Sequence, residues 1–263
     1  MSKQRLKSDF RPTFITLYSY VMSPYAAKVH CFLLYKRVSF ECFYISPLCV
    51  PRDLPVGGQI PVLTIGGESR ADSTPIGLWL DERFPDLPRL LPEDAHERKL
   101  LLKIDDWVTN QLIPGSFRFF PGEGLDRWLN GWRLSAVMAK TARGGLPVWL
   151  RAAWPFFIKR VGFVHRLIKL ADDGLPLRQS KLKLFRQFIT HLDGGLFLAG
   201  RSAPSLPDLA AYPQFALYYL TGFRGSEDVL EYPEIMSWLR RMGPYVSGTP
   251  ALVPAIVHAR ALP

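Results

Sequence analysis

Residues 14–29 read FITLYSYVMSPYAAKV, and this stretch decides the predicted fold. Apolar and β-branched residues at 14–18 predict a strand, and the residues at 26–35 predict a helix. Ser23 and Pro24 stand between the two; serine is a preferred N-cap and proline a preferred first helical residue. A helix start offers unpaired N–H groups and a partial positive charge to an anion such as a thiolate. Ser23 is therefore a candidate site residue, although Ser-Pro also opens many helices that carry no chemistry.

The composition is that of an ordinary soluble globular chain, with 48% hydrophobic and 21% charged residues in a length of 263. This length accommodates one large domain or two modest ones. The three cysteines, Cys31, Cys42 and Cys49, form no CxxC pair, which argues against a disulfide framework or a tetrathiolate zinc site and favours a reducing compartment. Residues 1–12 predict a loose tail rather than a signal peptide, and no apolar run reaches the roughly 18 residues of a membrane span.

The net charge of +10 belongs to one region of the chain. Residues 116–191 contain 14 Lys and Arg but four acids, whereas the remainder contains 19 of each sign. The excess of positive charge is therefore a local property and does not by itself indicate a nucleic-acid-binding protein.

Further strands are predicted on either side of a proline-rich segment. Residues 38–45 (VSFECFYI) predict a strand parallel to the first, completing a strand–helix–strand unit. Residues 59–65 and 68–71, separated by Gly66-Gly67, predict a β-hairpin, because both glycines can adopt positive φ.

A second helix is predicted directly after the hairpin. Asp72 and Ser73 are typical caps, and Ile76, Trp79 and Leu80 recur at helical spacing between residue 74 and about residue 84.

This order of elements, with Ile60-Pro61 opening the third strand and Asp72-Ser73 opening the helix, resembles the thioredoxin-like N-terminal domain of the glutathione transferases. Residues 85–94 (PDLPRLLPED) are similar to the family's interdomain linker, and residues 95–111 to the first helix of its all-helical second domain. The resemblance covers roughly residues 14–111 and 177–260. It implies an α/β domain at 13–86, a linker at 87–94 and an all-α domain at 95–263.

Near the C-terminal end, FLAG at 197–200 and SLPDLA at 205–210 are similar to the family's loop and N-capping box. Ser205 can cap the N–H of Asp208, and the Asp208 carboxylate can accept from the backbone of Ser205. This motif is predicted to be structural.

The resemblance implies that Ser23 activates the thiol of glutathione. The run from Tyr18 to Ser23 is similar to the zeta-class pattern, and Ser23-Pro24-Tyr25 to the tau-class pattern. Tyr18 and Ser19 compete with Ser23 for the role, and Tyr25 is a further candidate. Because residues 18–25 contain no cysteine, a thiol–disulfide mechanism is disfavoured.

Two further pairs of residues complete the implied glutathione site. A cis peptide at Ile60-Pro61 would present the backbone of Ile60 to the ligand, although a trans proline can also begin a strand. Ser73 can hold the γ-glutamyl carboxylate and Asp72 its ammonium group, although the pair can equally be a simple helix cap. Pro75 departs from the small residue that is usual in the family.

Residues 114–176 exceed what a compact transferase needs and contain aromatic residues interleaved with Arg and Lys. Three interpretations compete: extra helices that wall off an electrophile pocket, an interfacial helix on an anionic membrane, and nucleic-acid binding. Pro155 is expected to kink or restart a helix there. His165 has no partner at ligand spacing, so a surface residue is favoured over a metal ligand and no metal is expected.

The resemblance thus implies a cytoplasmic homodimer that binds glutathione as co-substrate and conjugates it to, or isomerises, a small apolar electrophile. No nucleic acid is expected as a partner. Two alternatives are a non-catalytic binding protein of the same fold, attached to a membrane surface through residues 146–171, and a lyase or reductive dehalogenase of the same family.

Overall fold

The computed structural model describes residues 14–20, 23–45, 54–141, 147–157, 162–246 and 259–261, so the predicted tail at 1–12 lies outside the described residues. A four-stranded sheet and two helices come first. The strands are β1 (Ile15–Ser19), β2 (Glu41–Tyr44), β3 (Val62–Ile65) and β4 (Glu68–Ala71). The helices are α1 (Pro24–Tyr35), between β1 and β2, and α2 (Ser73–Arg83), after β4.

The sheet is mixed and has the strand order β2-β1-β3-β4. β1 runs parallel to β2 and antiparallel to β3, which pairs antiparallel with β4 across the Gly66-Gly67 turn. Both glycines have positive φ, 57° and 94°, as the hairpin prediction requires. The strand–helix–strand unit and the hairpin are therefore confirmed.

The second and third strands are shorter than predicted, and the first is shifted by one residue. The second starts at Glu41 because the N–H of Val38 donates to the carbonyl of Leu33, which keeps Val38 in the turn after α1. The third starts at Val62 because Pro61 has no N–H for the ladder.

The rest of the chain is helical. Its α-helices are α3 (Ala95–Trp107), α4 (Ile113–Phe119), α5 (Gly124–Thr141), α6 (Val148–Phe157), α7 (Gly162–Leu170), α8 (Leu177–Leu192), α9 (Leu206–Leu220) and α10 (Pro233–Met242). A π-helical segment, Val108–Leu112, joins α3 to α4, so the helix predicted at 95–111 is present. Across the described ranges, no helix is both long and apolar enough to cross a bilayer.

The sheet and the helices share one hydrophobic core. Leu17 and Phe32 from the first part are fully buried in the same cluster as Tyr212 and Trp238 from the last helices. The helix α1 packs against α9. The interface between the sheet-containing part and the helical part is therefore within the hydrophobic core. This packing fixes the position of the start of α1.

The segment predicted as the linker is docked against α2. Leu90 and Leu91 are buried, and their N–H groups donate to the carboxylate of Asp81. The same carboxylate pairs with the buried ammonium of Lys36 at 2.8 Å. These bonds hold residues 90 and 91 against the first part of the chain.

The described residues between 114 and 170 are mostly helical. α5 and α6 lie side by side, where Gly131 leaves room for Pro155. α6 runs through Pro155 to Phe157, so the helix does not restart at the proline. His165 is exposed on α7, as predicted.

Candidate active site

Ser23 is the N-cap of α1, and Pro24 is its first residue, as the sequence predicts. The Oγ of Ser23 accepts a hydrogen bond from the N–H of Ala26 at 3.3 Å, and the N–H of Ser23 donates to the carbonyl of Tyr20. The cap uses the hydroxyl oxygen as an acceptor, and no acceptor for its hydrogen is present among the described residues, so the hydroxyl can donate to a ligand. Ser23 is half-buried, so a ligand thiolate at the helix start can receive that hydrogen.

The topology brings the other predicted site residues to the same edge of the sheet. Tyr18, near the end of β1, is in register with Val62 at the start of β3. The preceding Ile60–Pro61 peptide is cis, and the carbonyl of Pro61 accepts from the N–H of Asp72 at 3.2 Å. The ends of β1 and β4 and the starts of β3, α1 and α2 therefore converge.

Ser73 begins α2 and is fully buried, and its hydroxyl has no hydrogen-bond partner among the described residues. A buried hydroxyl without a partner is costly, and it is unusual in a folded protein. This group is therefore available to a ligand at the N-terminus of α2.

Asp72 does not cap α2 with its side chain, contrary to the prediction. Its φ of 72° and ψ of 137° lie outside the extended region from which an N-cap carboxylate reaches the first turn. Positive φ at a non-glycine residue is strained and concentrates at functional sites. The Asp72 side chain is exposed and is the second cause, after burial, that raises the pKa of Tyr25 to about 12.

The other candidates for the role of Ser23 are less well placed to lower the pKa of a thiol or to stabilise its thiolate. Ser19 is buried and its hydroxyl already donates to the carbonyl of Tyr20 at 3.0 Å. The ring of Tyr18 packs against Phe43 at a centroid distance of 5.5 Å. The phenol of Tyr25 faces the carbonyl of Thr109 at 3.4 Å and stays protonated, since its pKa is raised.

Comparisons with known proteins agree with this architecture. Residues 17–89 match the family model of the glutathione S-transferase N-terminal domain. Residues 17–89 are therefore a domain of the glutathione S-transferase N-terminal type. The predicted resemblance is thereby confirmed, as is the fold of a thioredoxin-like domain followed by helices.

Individual relatives are distant. Rice GST1 in complex with glutathione superposes with a TM-score of 0.57 and 20% identity, over 89% of each chain. Prostaglandin E synthase 2 from Danio rerio is 21% identical over 87% of this chain and 70% of its own length. Glutathione S-transferase 1 from Dianthus caryophyllus is 34% identical, but over 37% of this chain and 47% of its own length. The full-length likeness is therefore one of fold.

Sequence reasoning missed a buried polar cluster that joins the transferase domain to the helical part. The ammonium of Lys28 on α1 lies 2.7 Å from the carboxylate of Asp105 on α3, and both side chains are buried. Lys28 also donates to the hydroxyls of Thr74 at 2.8 Å and Thr109 at 3.1 Å, and Thr74 donates to Asp105 at 2.7 Å. Burial lowers the pKa of Lys28, and the Asp105 carboxylate opposes that shift.

A signal for this cluster is present in the sequence. Leu101 and Ile104 of α3 and Val108 at the start of the π-helical segment form a buried stripe, and Asp105 lies within it. A carboxylate at a core position requires a buried cation, and Lys28 on the transferase domain supplies it. The sequence does not show which cation it is, because residues 28 and 105 meet only in the folded chain.

The basic aromatic insertion reaches the candidate site through α7. Phe163 packs edge-on against Tyr25 at 6.4 Å between centroids and against Phe117 of α4 at 5.8 Å. Tyr25 is two residues from Ser23. The insertion therefore contributes aromatic surface beside the start of α1, in line with the first of its three interpretations.

The capping box of the helical domain is present at the start of α9. The Asp208 carboxylate accepts from the N–H of Ser205 at 3.0 Å and from its hydroxyl at 3.1 Å. It also accepts from the N–H of Leu198 and from the indole of Trp238. Asp208 thus ties the loop at 197–200, α9 and α10 together, which is the structural role predicted for it.

Proposed function

We propose that this chain is a glutathione transferase in which Ser23 holds the sulfur of glutathione as a thiolate. The observation that carries the proposal is the hydroxyl of Ser23, whose oxygen caps α1 as an acceptor and whose hydrogen meets no acceptor among the described residues. A free thiol has a pKa near 8.5 and is a few per cent ionised at pH 7. A donor at a helix N-terminus that lowers this pKa by about two units raises the thiolate fraction more than tenfold.

The second helix start supports a site for the γ-glutamyl arm. Ser73 offers a buried hydroxyl without a partner among the described residues and lies at the positive end of α2. Asp72 next to it presents an exposed carboxylate that can pair with an ammonium group. Ile60 and Pro61 lie next to this pair, because the carbonyl of Pro61 accepts a hydrogen bond from the N–H of Asp72.

The aromatic residues beside Ser23 support an apolar electrophile as second substrate. Phe163 contacts both Tyr25 and Phe117 through ring edges and is itself 43% exposed. The reaction proposed is attack by the glutathione sulfur on this electrophile, with conjugation or isomerisation as the outcome. The homodimer and the cytoplasmic location stay predictions from the resemblance.

Calorimetric titration with glutathione, together with the ultraviolet absorbance of the bound thiolate as a function of pH, tests this proposal. We expect wild type to bind glutathione and to lower its thiol pKa by about two units, and Ser23→Ala to bind while losing most of that shift. Because Ser23→Ala also removes a helix cap, Asp94→Ala is the matched control. Asp94 caps α3 by accepting from the N–H of Glu97 at 2.8 Å.

Both variants are expected to lose about 1 kcal/mol of stability, but Asp94→Ala keeps the thiol pKa of wild type. A wild type that does not bind glutathione overturns the proposed function. Binding with an unshifted thiol pKa favours the non-catalytic alternative. If Ser23→Ala lowers the thiol pKa of glutathione as much as wild type does, Ser23 does not stabilise the thiolate. The same measurement would then be made on a variant of Tyr18.

A further inference from the structure

A group of large apolar side chains is exposed on α5 and α6, and none of them is among the residues of the candidate site. Trp149 is 67% exposed, Phe156 59% and Trp132 48%. The group, here called the α5–α6 patch, comprises Leu125, Leu129, Trp132, Val148, Trp149 and Phe156. A contiguous apolar surface of this kind marks an interaction site, whereas single exposed hydrophobic residues need no explanation.

The patch is continuous because its two helices are locked together. The ring of Trp128 stands edge-on to Phe156 at 4.4 Å and lies 6.3 Å from Trp132. The indole N–H of Trp132 donates to the carbonyl of Ala152 at 3.2 Å, which joins the outer face of α5 to that of α6.

On the inner side, a small separate core holds the helix pair. Leu150 of α6 is buried there against Leu134 and Ala139 of α5. The packing of α5 against α6 therefore fixes the positions of the exposed aromatic rings.

The charge of the surrounding helices selects the occupant of the patch. The sequences of α5, α6 and α7 contain six basic residues and one acid, Asp126. That acid is paired with Arg224, whereas Arg151 is exposed on α6 two residues from Trp149. A second copy of the chain would bring the same positive charges against each other, which disfavours a symmetric dimer through this face.

We infer that the α5–α6 patch docks on a phospholipid bilayer that contains anionic lipid. Trp and Phe side chains favour the headgroup zone, and an exposed basic side chain on the same face of the protein, such as Arg151, is attracted to anionic headgroups. The aliphatic members, Leu125, Leu129 and Val148, suit acyl chains and not the bases or phosphates of a nucleic acid. The protein would lie on the surface, with α5 and α6 parallel to the membrane plane.

Vesicle flotation tests the inference, with vesicles of phosphatidylcholine alone and with added phosphatidylserine, each at low and high NaCl. We expect binding to the anionic vesicles that weakens as salt rises, since exposed charges are screened. The affinity of the variant Trp149→Ser/Phe156→Ser for anionic vesicles is expected to be at least roughly tenfold lower. Arg151→Gln is expected to reduce binding to anionic vesicles and leave the weak binding to neutral ones unchanged.

The matched control is Leu196→Ser/Leu230→Ser, which removes two apolar side chains exposed to a similar extent outside the patch. It is expected to bind vesicles as wild type does, and unfolding curves check that both double variants are folded. The inference is overturned if anionic vesicles are not bound or if both double variants bind equally. It is also overturned if Trp149→Ser/Phe156→Ser dissociates an oligomer in light scattering, or weakens binding of a single-stranded oligonucleotide but not of vesicles.

Discussion

At the scale of single residues, Asp208 is a buried carboxylate that meets four hydrogen-bond donors. Burial raises its pKa to about 6, and the donors oppose that shift. An unfolded Asp has a pKa of about 3.9, so between about pH 4 and 6 the native state retains a proton that the unfolded state has lost. The free energy of unfolding therefore falls as pH rises through this window, by up to about 3 kcal/mol from this group.

Asp208→Asn removes this titration. We expect the difference in free energy of unfolding between wild type and variant to shrink from pH 4 to about pH 6.5 and to stay constant above it, as measured by urea unfolding. His30 changes stability in the opposite sense, because burial lowers its pKa to about 4, but its contribution cancels in the difference. A difference that grows with pH would mean that the four donors outweigh burial.

At the scale of elements, Gly131 decides how closely α5 approaches α6. A Cβ at this position would lie 2.9 Å from the backbone of Pro155, too close without a shift of one helix. We expect Gly131→Ala to destabilise the protein by about 1–3 kcal/mol, although alanine favours an isolated helix by about 1 kcal/mol. Thermal unfolding measures this.

The matched control for this prediction is Gly162→Ala. Gly162 begins α7, and a Cβ there meets nothing within 4 Å. This variant is expected to be neutral or slightly stabilised. Equal effects of the two substitutions would contradict close packing of α5 on α6.

The elements also show how far the sequence alone reaches. Ser23 at the start of α1 and Gly66-Gly67 in the hairpin are predictable, because caps and tight turns depend on neighbouring residues. Asp72 is a residue type that commonly caps helices. Its N–H donates to the carbonyl of Pro61 and its φ is positive, and neither feature can be predicted from the residue type. Local signals therefore locate helix starts and miss conformations that tertiary contacts impose.

The candidate site divides in the same way. Ser23, Ile60-Pro61 and Asp72-Ser73 come from short motifs whose order along the chain predicts that they meet. Thr109 and Phe163 approach Tyr25 from more than 80 residues away, through a helical region that has no sequence motif to place it. The residues proposed to bind glutathione are therefore predictable, whereas the aromatic surface beside Tyr25 requires the fold.

At the scale of the whole molecule, the sheet and the helices form one core, and a buried ion pair crosses between them. Lys28→Met leaves the Asp105 carboxylate buried without its cation, which is expected to cost about 3–5 kcal/mol. The double variant Lys28→Met/Asp105→Leu removes both charges and is expected to recover at least half of that loss, because apolar residues can replace a buried pair. Urea unfolding of wild type, both single variants and the double variant closes the cycle.

An exposed pair provides the control for this prediction. Arg89 and Glu93 lie 3.0 Å apart, with side chains 42% and 78% exposed. Arg89→Met is therefore expected to change the free energy of unfolding by about 0.5 kcal/mol or less. If Lys28→Met costs no more than Arg89→Met, the Lys28–Asp105 pair does not hold the two parts together. A large loss that the double variant does not recover would instead assign the role to the hydroxyls of Thr74 and Thr109, which the ammonium of Lys28 also bonds.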